Sequence, residues 1–503
     1  MTLSKTTAKT TEAGRSDRLN REILVLAGVV ILGTIMTVLD LTIVNVAIPT
    51  LGSDLAASIP AIQWVLTGYM LAFATVIPLT GWAAERFGAK RVWLAALVLF
   101  LAGSVLAAGA WSIGSLIAFR VLQGLGAGMI LPVGQTILAQ AAGPQRMGRV
   151  MSVIGVPMLL APVFGPVIGG AIISAASWRW IFLINLPIGA AALLAAARLL
   201  PDARPRLGQR LDLRGLALLS PGIAVFLYGM SEAGDHGGFG SPRTIIAAVA
   251  GLALIALYFW HATTLGKDAL IDVSLLRRRG FATAAALNLL LVIALFGSLI
   301  LIPLYYQVVR HNGPLQIGLL LAPQGIGAAL ALPLAGSLTD KIGARSVTSA
   351  GLVIAMLGTL AYTQVGPHTA DSYLAVALLV TGIGIGATIT PSMAAAFQAV
   401  SRAETPRATS ALNTIQRVGG AIGTALFAII LQHAITASLP GSRGGTMAIA
   451  GLSQHAPVHT ATALAAAFGT TFWVAVGLIA TALVPALLLP RPRRGAQASA
   501  DGA

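Results

Sequence analysis

Apolar runs of about 20 residues, separated by short polar breaks, recur from residue 24 to residue 489. A helix that crosses a bilayer needs about 20 mostly apolar residues. Windows that meet this fall at 24–48, 62–84, 92–110, 114–139, 150–175, 180–200, 213–232, 244–264, 281–304, 317–338, 346–365, 373–398, 411–433 and 463–489. The pattern therefore predicts an all-α membrane protein with fourteen spanning helices. The runs lack the period-two alternation of a transmembrane barrel. Breaks such as "ERFGAKR", "GPQRMGR" and "TDKIGARS" carry turn chemistry. The first run follows a polar stretch, residues 1–21, and exceeds the roughly 7–15 residues of a signal-peptide core. It reads as an uncleaved first helix.

Composition agrees with this picture: 56% of residues are hydrophobic and 10% charged, against about 25% charged in soluble proteins. The distribution of charge then fixes an orientation. With the N-terminus inside, the inner segments hold 26 Lys and Arg and the outer ones four, Arg179, Arg243, Arg310 and Arg443. Cytoplasmic loops carry such an excess, and an error of one helix would invert it downstream. Both termini are expected in the cytoplasm, in the inner membrane of a bacterium. The net charge of +16 is thus a topology signal whose partner is the lipid bilayer. No nucleic acid is implied.

The chain also repeats. "GWAAERFGAKR" (81–91) and "GSLTDKIGARS" (336–346) share a spacing at an offset of 255 residues, and "GLGAG" (124–128) and "GIGIG" (382–386) echo at 258. Eight helices separate equivalent points, which gives two six-helix bundles flanking a middle pair. The expected division is 1–22, a cytoplasmic tail; 23–200, the N-terminal bundle; 201–280, two inserted helices and linkers; 281–490, the C-terminal bundle; and 491–503, a second cytoplasmic tail. Repeats about an axis along the membrane normal mark transporters that rock their halves around a central site.

Chemistry concentrates in few places. Asp40 is the one acid well inside a predicted span, beyond the helix midpoint towards the outer side. An intramembrane acid is a functional candidate by default. Low dielectric disfavours a charged carboxylate, so Asp40 suits a proton taken up outside and released inside. Gly33 and Thr37 share its helical face and read as the wall of a watered cavity; a structural Asp paired to a neighbouring helix stays open as the alternative. Arg120 lies within the fourth span. Guanidinium keeps its proton in proteins, so Arg120 acts on a nearby acid or on water, or else bonds backbone carbonyls structurally. At the repeat offsets from Asp40 and Arg120 stand Leu295 and Leu378, which assigns proton coupling to the N-terminal half. The fifth span holds Pro157, Pro162 and Pro166 with Gly165, Gly169 and Gly170, a bent, tightly packing helix suited to gating. The loop with Gly81, Glu85, Arg86, Gly88, Lys90 and Arg91 reads as a latch, Glu85 pairing with Arg86 or across the inner face. Arg417 lies near the inner end of its span and reads as structural. Trp64, Trp111, Trp178, Trp180 and Tyr305 read as interfacial belt residues.

These motifs resemble, in order, those of the major facilitator superfamily in its fourteen-helix drug:proton antiporter group: "LDLTIVNVAIP" (39–49), "GWAAERFGAKR", "RVLQGLGAG" (120–128), "GVPMLLAPVFGPVIGG" (155–170) and "WRWIFLINLPIG" (178–189). Glu85 and Ala83 stand where the family usually has Asp and Leu. The resemblance implies export of an amphipathic drug or antibiotic against protons by alternating access. It assigns the fourth-helix Arg an indirect part in proton transfer and the fifth-helix motif to antiporters. The rival is a proton-coupled uptake symporter for a small metabolite.

Several classes fall away. The chain has no cysteine and no Walker A motif, which disfavours thiolate chemistry and ATP-driven pumping. The His455–His459 pair in "HAPVH" is broken by Pro457, so no metal site is expected. No HExxH and no Ser–His pair falls within the spans, so the chain is not expected to be an enzyme. No cofactor is called for beyond the proton gradient, and a monomer is expected.

Overall fold

A computed structural model describes residues 21–143, 146–202, 209–235, 238–438 and 458–490. The described residues contain no strand. Their long helices are α1 (Arg21–Asp54), α2 (Ile59–Phe87), α3 (Ala89–Ala108), α4 (Ile113–Ala142), α5 (Met147–Ala175), α6 (Trp180–Leu199, interrupted at Ile184), α7 (Leu213–Asp235), α8 (Pro242–Leu265), α9 (Arg279–Val308), α10 (Pro314–Ile342), α11 (Ala344–Leu360), α12 (Asp371–Gln398), α13 (Thr405–Ser438) and α14 (Val458–Leu488). Thirteen of these are long and apolar enough to cross a membrane. The other is α5, a helix of 29 residues; the side chains at 156–163 and 166, which include Pro157, Pro162 and Pro166, lie outside the described residues.

The internal repeat is a repeat of close contacts. Gly124 and Gly128 of α4 press against the Tyr69 and Phe73 carbonyls of α2, leaving no room for a Cβ. Gly382 and Gly386 of α12 press in the same way against the Gln324 and Ala328 carbonyls of α10. Small residues let backbones approach where lipid supplies no hydrophobic drive. Both partner positions lie 255 residues apart and both glycine pairs 258, so each half builds the same helix crossing.

The expected loop at 81–91 is not a loop. Helix α2 runs through Gly81, Glu85 and Arg86 to Phe87, and Lys90 and Arg91 already belong to α3. Gly88 alone connects them, with φ at 90°, and Gly343 connects α10 to α11 with φ at 88°. A left-handed residue closes one helix and opens the next within a single position, a geometry that glycine adopts without strain. That is the physical reason for the glycine in each repeat copy.

Helices α7 and α8 pack as a pair. Helix α7 lies against α2, where Ser220 Oγ donates to the Thr75 carbonyl at 2.6 Å, and against α13, where Phe226 and Met230 meet Ala425. Helix α8 turns Ile246, Leu252 and Trp260 outward, as a lipid-facing helix does. The belt expectation divides: Trp64, Trp111 and Trp180 are exposed, but Trp178 and Tyr305 are buried. Trp178 packs edge-on to Phe182, and Tyr305 donates to the Gly366 carbonyl.

Candidate functional site

Asp40 is fully buried, and so is Arg120. Arg120 Nη1 donates to Asp40 Oδ2 at 2.5 Å and to Gln123 Oε1 at 2.7 Å. Gln123 Nε2 and Asn185 Nδ2 donate to Asp40 Oδ1 at 3.0 and 2.9 Å. Both amides also reach Ser104 Oγ, which donates to the Phe182 carbonyl at 2.8 Å. Five helices, α1, α2, α3, α4 and α6, thus converge on one carboxylate, because Arg120 Nε points back to the Val65 carbonyl at 3.4 Å. Gly103 makes the convergence possible: a Cβ there would stand 2.7 Å from Gln123 Cα. The guanidinium lies 4.1 Å from the Tyr69 ring centroid.

Burying an ion pair costs several kcal/mol per ion and is recovered only with good geometry and further hydrogen bonds. Asp40 has both oxygens engaged and three donors, so the charge is held. Two polar atoms beside the pair, Arg120 Nη2 and Tyr69 Oη, make no hydrogen bond. The sequence pointed to Asp40 and Arg120 separately; the structure joins them. Sequence reasoning passed over Gln123, Asn185 and Ser104. The first is three residues from Arg120, one helical turn along the same face, and the second lies inside "INLPIG"; both were readable as polar residues in apolar spans. Gly33 and Thr37 do not line a cavity: Gly33 is pressed against Trp93, and Thr37 is buried with its hydroxyl on the Thr34 carbonyl. Trp93 fills that space.

At the end of the bundle carrying Gly88 and Gly343, two ion pairs cross between the halves. Arg407 Nε meets Glu85 Oε2 at 3.0 Å, and Arg149 Nε meets Asp340 Oδ2 at 3.0 Å. Glu85 therefore pairs across the halves and not with Arg86; Lys90 reaches Asp202 at 3.6 Å. The acids are 255 residues apart and the arginines 258, so each pair is the image of the other. Neither arginine was singled out from sequence, where both counted only towards the charge bias. Backbone contacts draw the halves together between these pairs: Gly81 against Arg407 Cα, Gly336 against the Gly148 carbonyl. Gly165 and Gly169 of α5 pack on Thr42 and Ile43 of α1, while a Cβ at Gly170 would meet nothing within 4 Å.

Helix α13 carries a polar stripe facing the N-terminal half. Arg407 is followed by Ser410, bonded to the Ile77 carbonyl at 2.9 Å, then Asn413, bonded to Gln135 Oε1 at 2.8 Å, then Arg417. Arg417 lies over the Phe73 ring at 4.1 Å. Twelve residues from Thr405 place it about 18 Å along the helix at 1.5 Å per residue, not at the inner end as expected. Among the described residues no carboxylate pairs with it. A cation at this depth costs about 2.5–3.5 kcal/mol, and a desolvated cation–π contact returns about 2. The ring alone does not balance the charge.

Within the helices the buried charges Asp40 and Arg120 form one cluster and Glu85 and Arg407 sit on the seam between two like halves, an arrangement that suits a membrane transporter. The Major Facilitator Superfamily model matches residues 30–424 and 314–503. The chain is 40% identical over 493 residues to the "Multidrug resistance protein B homolog" of Mycobacterium tuberculosis, covering 94% of this chain and 91% of that one. It is 34% identical over 399 residues to "Multidrug export protein EmrB" of Haemophilus influenzae, covering 78% of each. In fold it resembles the proton:xylose symporter XylE, with a TM-score of 0.58 at 14% identity, over 93% of this chain and 96% of that one. The chain belongs to the Major Facilitator Superfamily and is a multi-pass transporter of the inner membrane.

Proposed function

We propose that this transporter is an antiporter that exports an amphipathic drug or antibiotic in exchange for protons. It works by alternating access, with fourteen helices arranged 6+2+6 and both termini in the cytoplasm. The observation that carries the reading is the fully buried Asp40–Arg120 pair; the names of the multidrug relatives support the export direction. Protonation of Asp40 removes the charge that Arg120, Gln123 and Asn185 hold in common, and so loosens the tie of α1 to α4 and α6. Arg120 keeps its proton and favours the return of the carboxylate. The proton thus changes how the bundle packs. The two mirrored ion pairs, Glu85–Arg407 and Arg149–Asp340, hold the inner end shut while cargo and proton exchange outside. A membrane potential of about 100 mV supplies roughly 2.3 kcal/mol per charge, close to a 50-fold concentration ratio.

Everted vesicles test the proposal. Adding a transported drug to energised vesicles alkalinises the lumen if drug and proton exchange, and Asp40→Asn abolishes that signal while expression persists. A lumen that acidifies further on adding cargo indicates symport. Undiminished export in Asp40→Asn overturns the assignment of the proton site.

A further inference from the structure

We propose that Arg417 is a cargo subsite, and that it selects amphipathic molecules bearing a carboxylate, sulfonate or phosphate group. The inference rests on the transporter reading above but not on proton coupling. Its first ground is position. The stripe Arg407, Ser410, Asn413, Arg417 advances along α13 by one turn at a time, and the first three residues each bind the N-terminal half through a polar contact. Arg417 is the next step inward; it lies over the face of Phe73, and no carboxylate pairs with it among the described residues. It lies on the seam through which the halves part, so whatever passes between them passes Arg417.

The second ground is charge. Asp40 and Arg120 neutralise one another, as do the members of each mirrored pair. Arg417 has no such counterpart among the described residues and leaves the passage with a net positive charge. A guanidinium stacked on a ring keeps its N–H fork at the rim, in the geometry that pairs with a carboxylate or phosphate through two bonds. Phe73 provides an apolar floor beneath it. The third ground is continuity. Phe73 and Tyr69 stand one turn apart on α2 with ring centroids at 6.2 Å, and Tyr69 lies under Arg120. A ladder of two rings therefore joins the Arg417 subsite to the buried pair, and an anion at Arg417 lies within the field of the proton site.

Binding to the purified full chain tests this, in nanodiscs of phosphatidylcholine alone so that no anionic lipid competes. Taurocholate, an anionic amphiphile, and tetraphenylphosphonium, a cationic one, are titrated by calorimetry and corrected for empty discs. The wild type is expected to bind taurocholate the more tightly. Arg417→Gln is expected to weaken taurocholate at least about tenfold, the scale of one charge-assisted bond, and to leave tetraphenylphosphonium within about threefold. Arg417→Lys, which keeps the charge but not the two-bond fork, is expected to fall between the wild type and Arg417→Gln. Equal affinities in wild type and Arg417→Gln, or a lysine variant as weak as the glutamine one, overturn the proposal. Should Arg417→Gln fail to fold, tighter binding of tetraphenylphosphonium than of taurocholate by the wild type overturns it as well. Loss of vesicle alkalinisation in Asp40→Asn speaks to the antiport reading alone, whereas the binding comparison of wild type with Arg417→Gln speaks to the subsite alone. A tenfold gain in taurocholate binding when phosphatidylglycerol is left out of the discs, absent in Arg417→Gln, assigns the site to lipid headgroups and also counts against cargo.

Discussion

The two halves of the transporter share a frame and differ in what fills it. Gly88 and Gly343 make the same one-residue turn, Gly124 and Gly382 the same helix crossing, and Glu85–Arg407 and Asp340–Arg149 the same ion pair at the same distance. Yet at the positions where the N-terminal half buries Asp40 and Arg120, the C-terminal half has Leu295 and Leu378, the latter fully buried. Within α13 the C-terminal half instead carries Arg417, which no carboxylate pairs among the described residues, and a leucine stands 258 residues before it. What is symmetric bears on motion, because rocking two halves needs matched seams. What is asymmetric bears on the chemistry proposed above, in which one proton site and one cargo site suffice.

Imposing the leucines of the C-terminal half on the N-terminal half gives the largest expected effect. Arg120→Leu alone leaves a buried carboxylate without its cation, which costs about 3–5 kcal/mol; thermal unfolding followed by size exclusion should show most of the chain lost. Asp40→Leu with Arg120→Leu removes both charges, and apolar replacement of a buried pair is often neutral or stabilising. The double variant should regain the wild-type melting temperature or better and transport nothing. Recovery of transport along with stability would mean that the pair is only a packing device, and the contrast between the halves would lose its functional meaning.

The frame was legible in the sequence because hydropathy, charge bias and a fixed offset are all one-dimensional signals. They marked the spans, and they marked Asp40 and Arg120 as exceptions to the solvent they sit in. What escaped was pairing at long range. Arg407 and Arg149 look like ordinary inner-side arginines, and only folding brings them to acids 322 and 191 residues away. Gln123 and Asn185 are uncharged, so no charge count flags them, although they supply two of the three donors to Asp40. Arg417 was placed near an inner end because the apolar window began at 411, whereas α13 begins at Thr405. The helix extends through "TPRATS", whose threonine hydroxyls bond back to carbonyls one turn earlier, Thr405 to Ser401 and Thr409 to Thr405.

The mirrored pairs offer a sharper comparison of the two halves. If they are one device used twice, Glu85→Gln and Asp340→Asn should act alike. Each removes a charge-assisted bond worth about 1.5–3 kcal/mol, which opens the inner end by tenfold or more in population. Labelling of a cysteine introduced at Ser152 should accelerate equally in both. The exchange Glu85→Arg with Arg407→Glu should restore the wild-type rate. A large response at one pair and none at the other would show that only one seam holds the gate. The turns allow a milder form of the same test. Alanine at Gly88 or Gly343 must adopt a left-handed backbone, at about 1–2 kcal/mol, and the two variants should lower the melting temperature by the same few degrees.

The smallest effect concerns a pair that belongs to the C-terminal half alone. Arg278, just before α9, donates to Glu404, just before α13, at 2.6 and 2.9 Å. The residue 258 positions before Glu404 is Arg146, so the N-terminal half has no counterpart. The bonds from Arg278 hold the Glu404 carboxyl down at about 2, from an ordinary 4.5, against a desolvation that raises it. A carboxylate whose folded value is depressed adds stability above its unfolded value and loses it as pH falls through the folded one. Between pH 5 and pH 8 the contribution of Glu404 is therefore constant, and it fades only between about 4.5 and 2. Both side chains are partly exposed, 42% for Arg278 and 25% for Glu404, which limits the pair to about 0.2–1 kcal/mol. Glu404→Gln should lower the melting temperature by about a degree at both pH 6 and pH 8, and the gap to wild type should narrow at pH 3. A gap that changed between pH 6 and pH 8 would place the relevant titration elsewhere, and transport rates in this variant should stay at the wild-type level throughout, since the pair ties two helices within one half and crosses no seam.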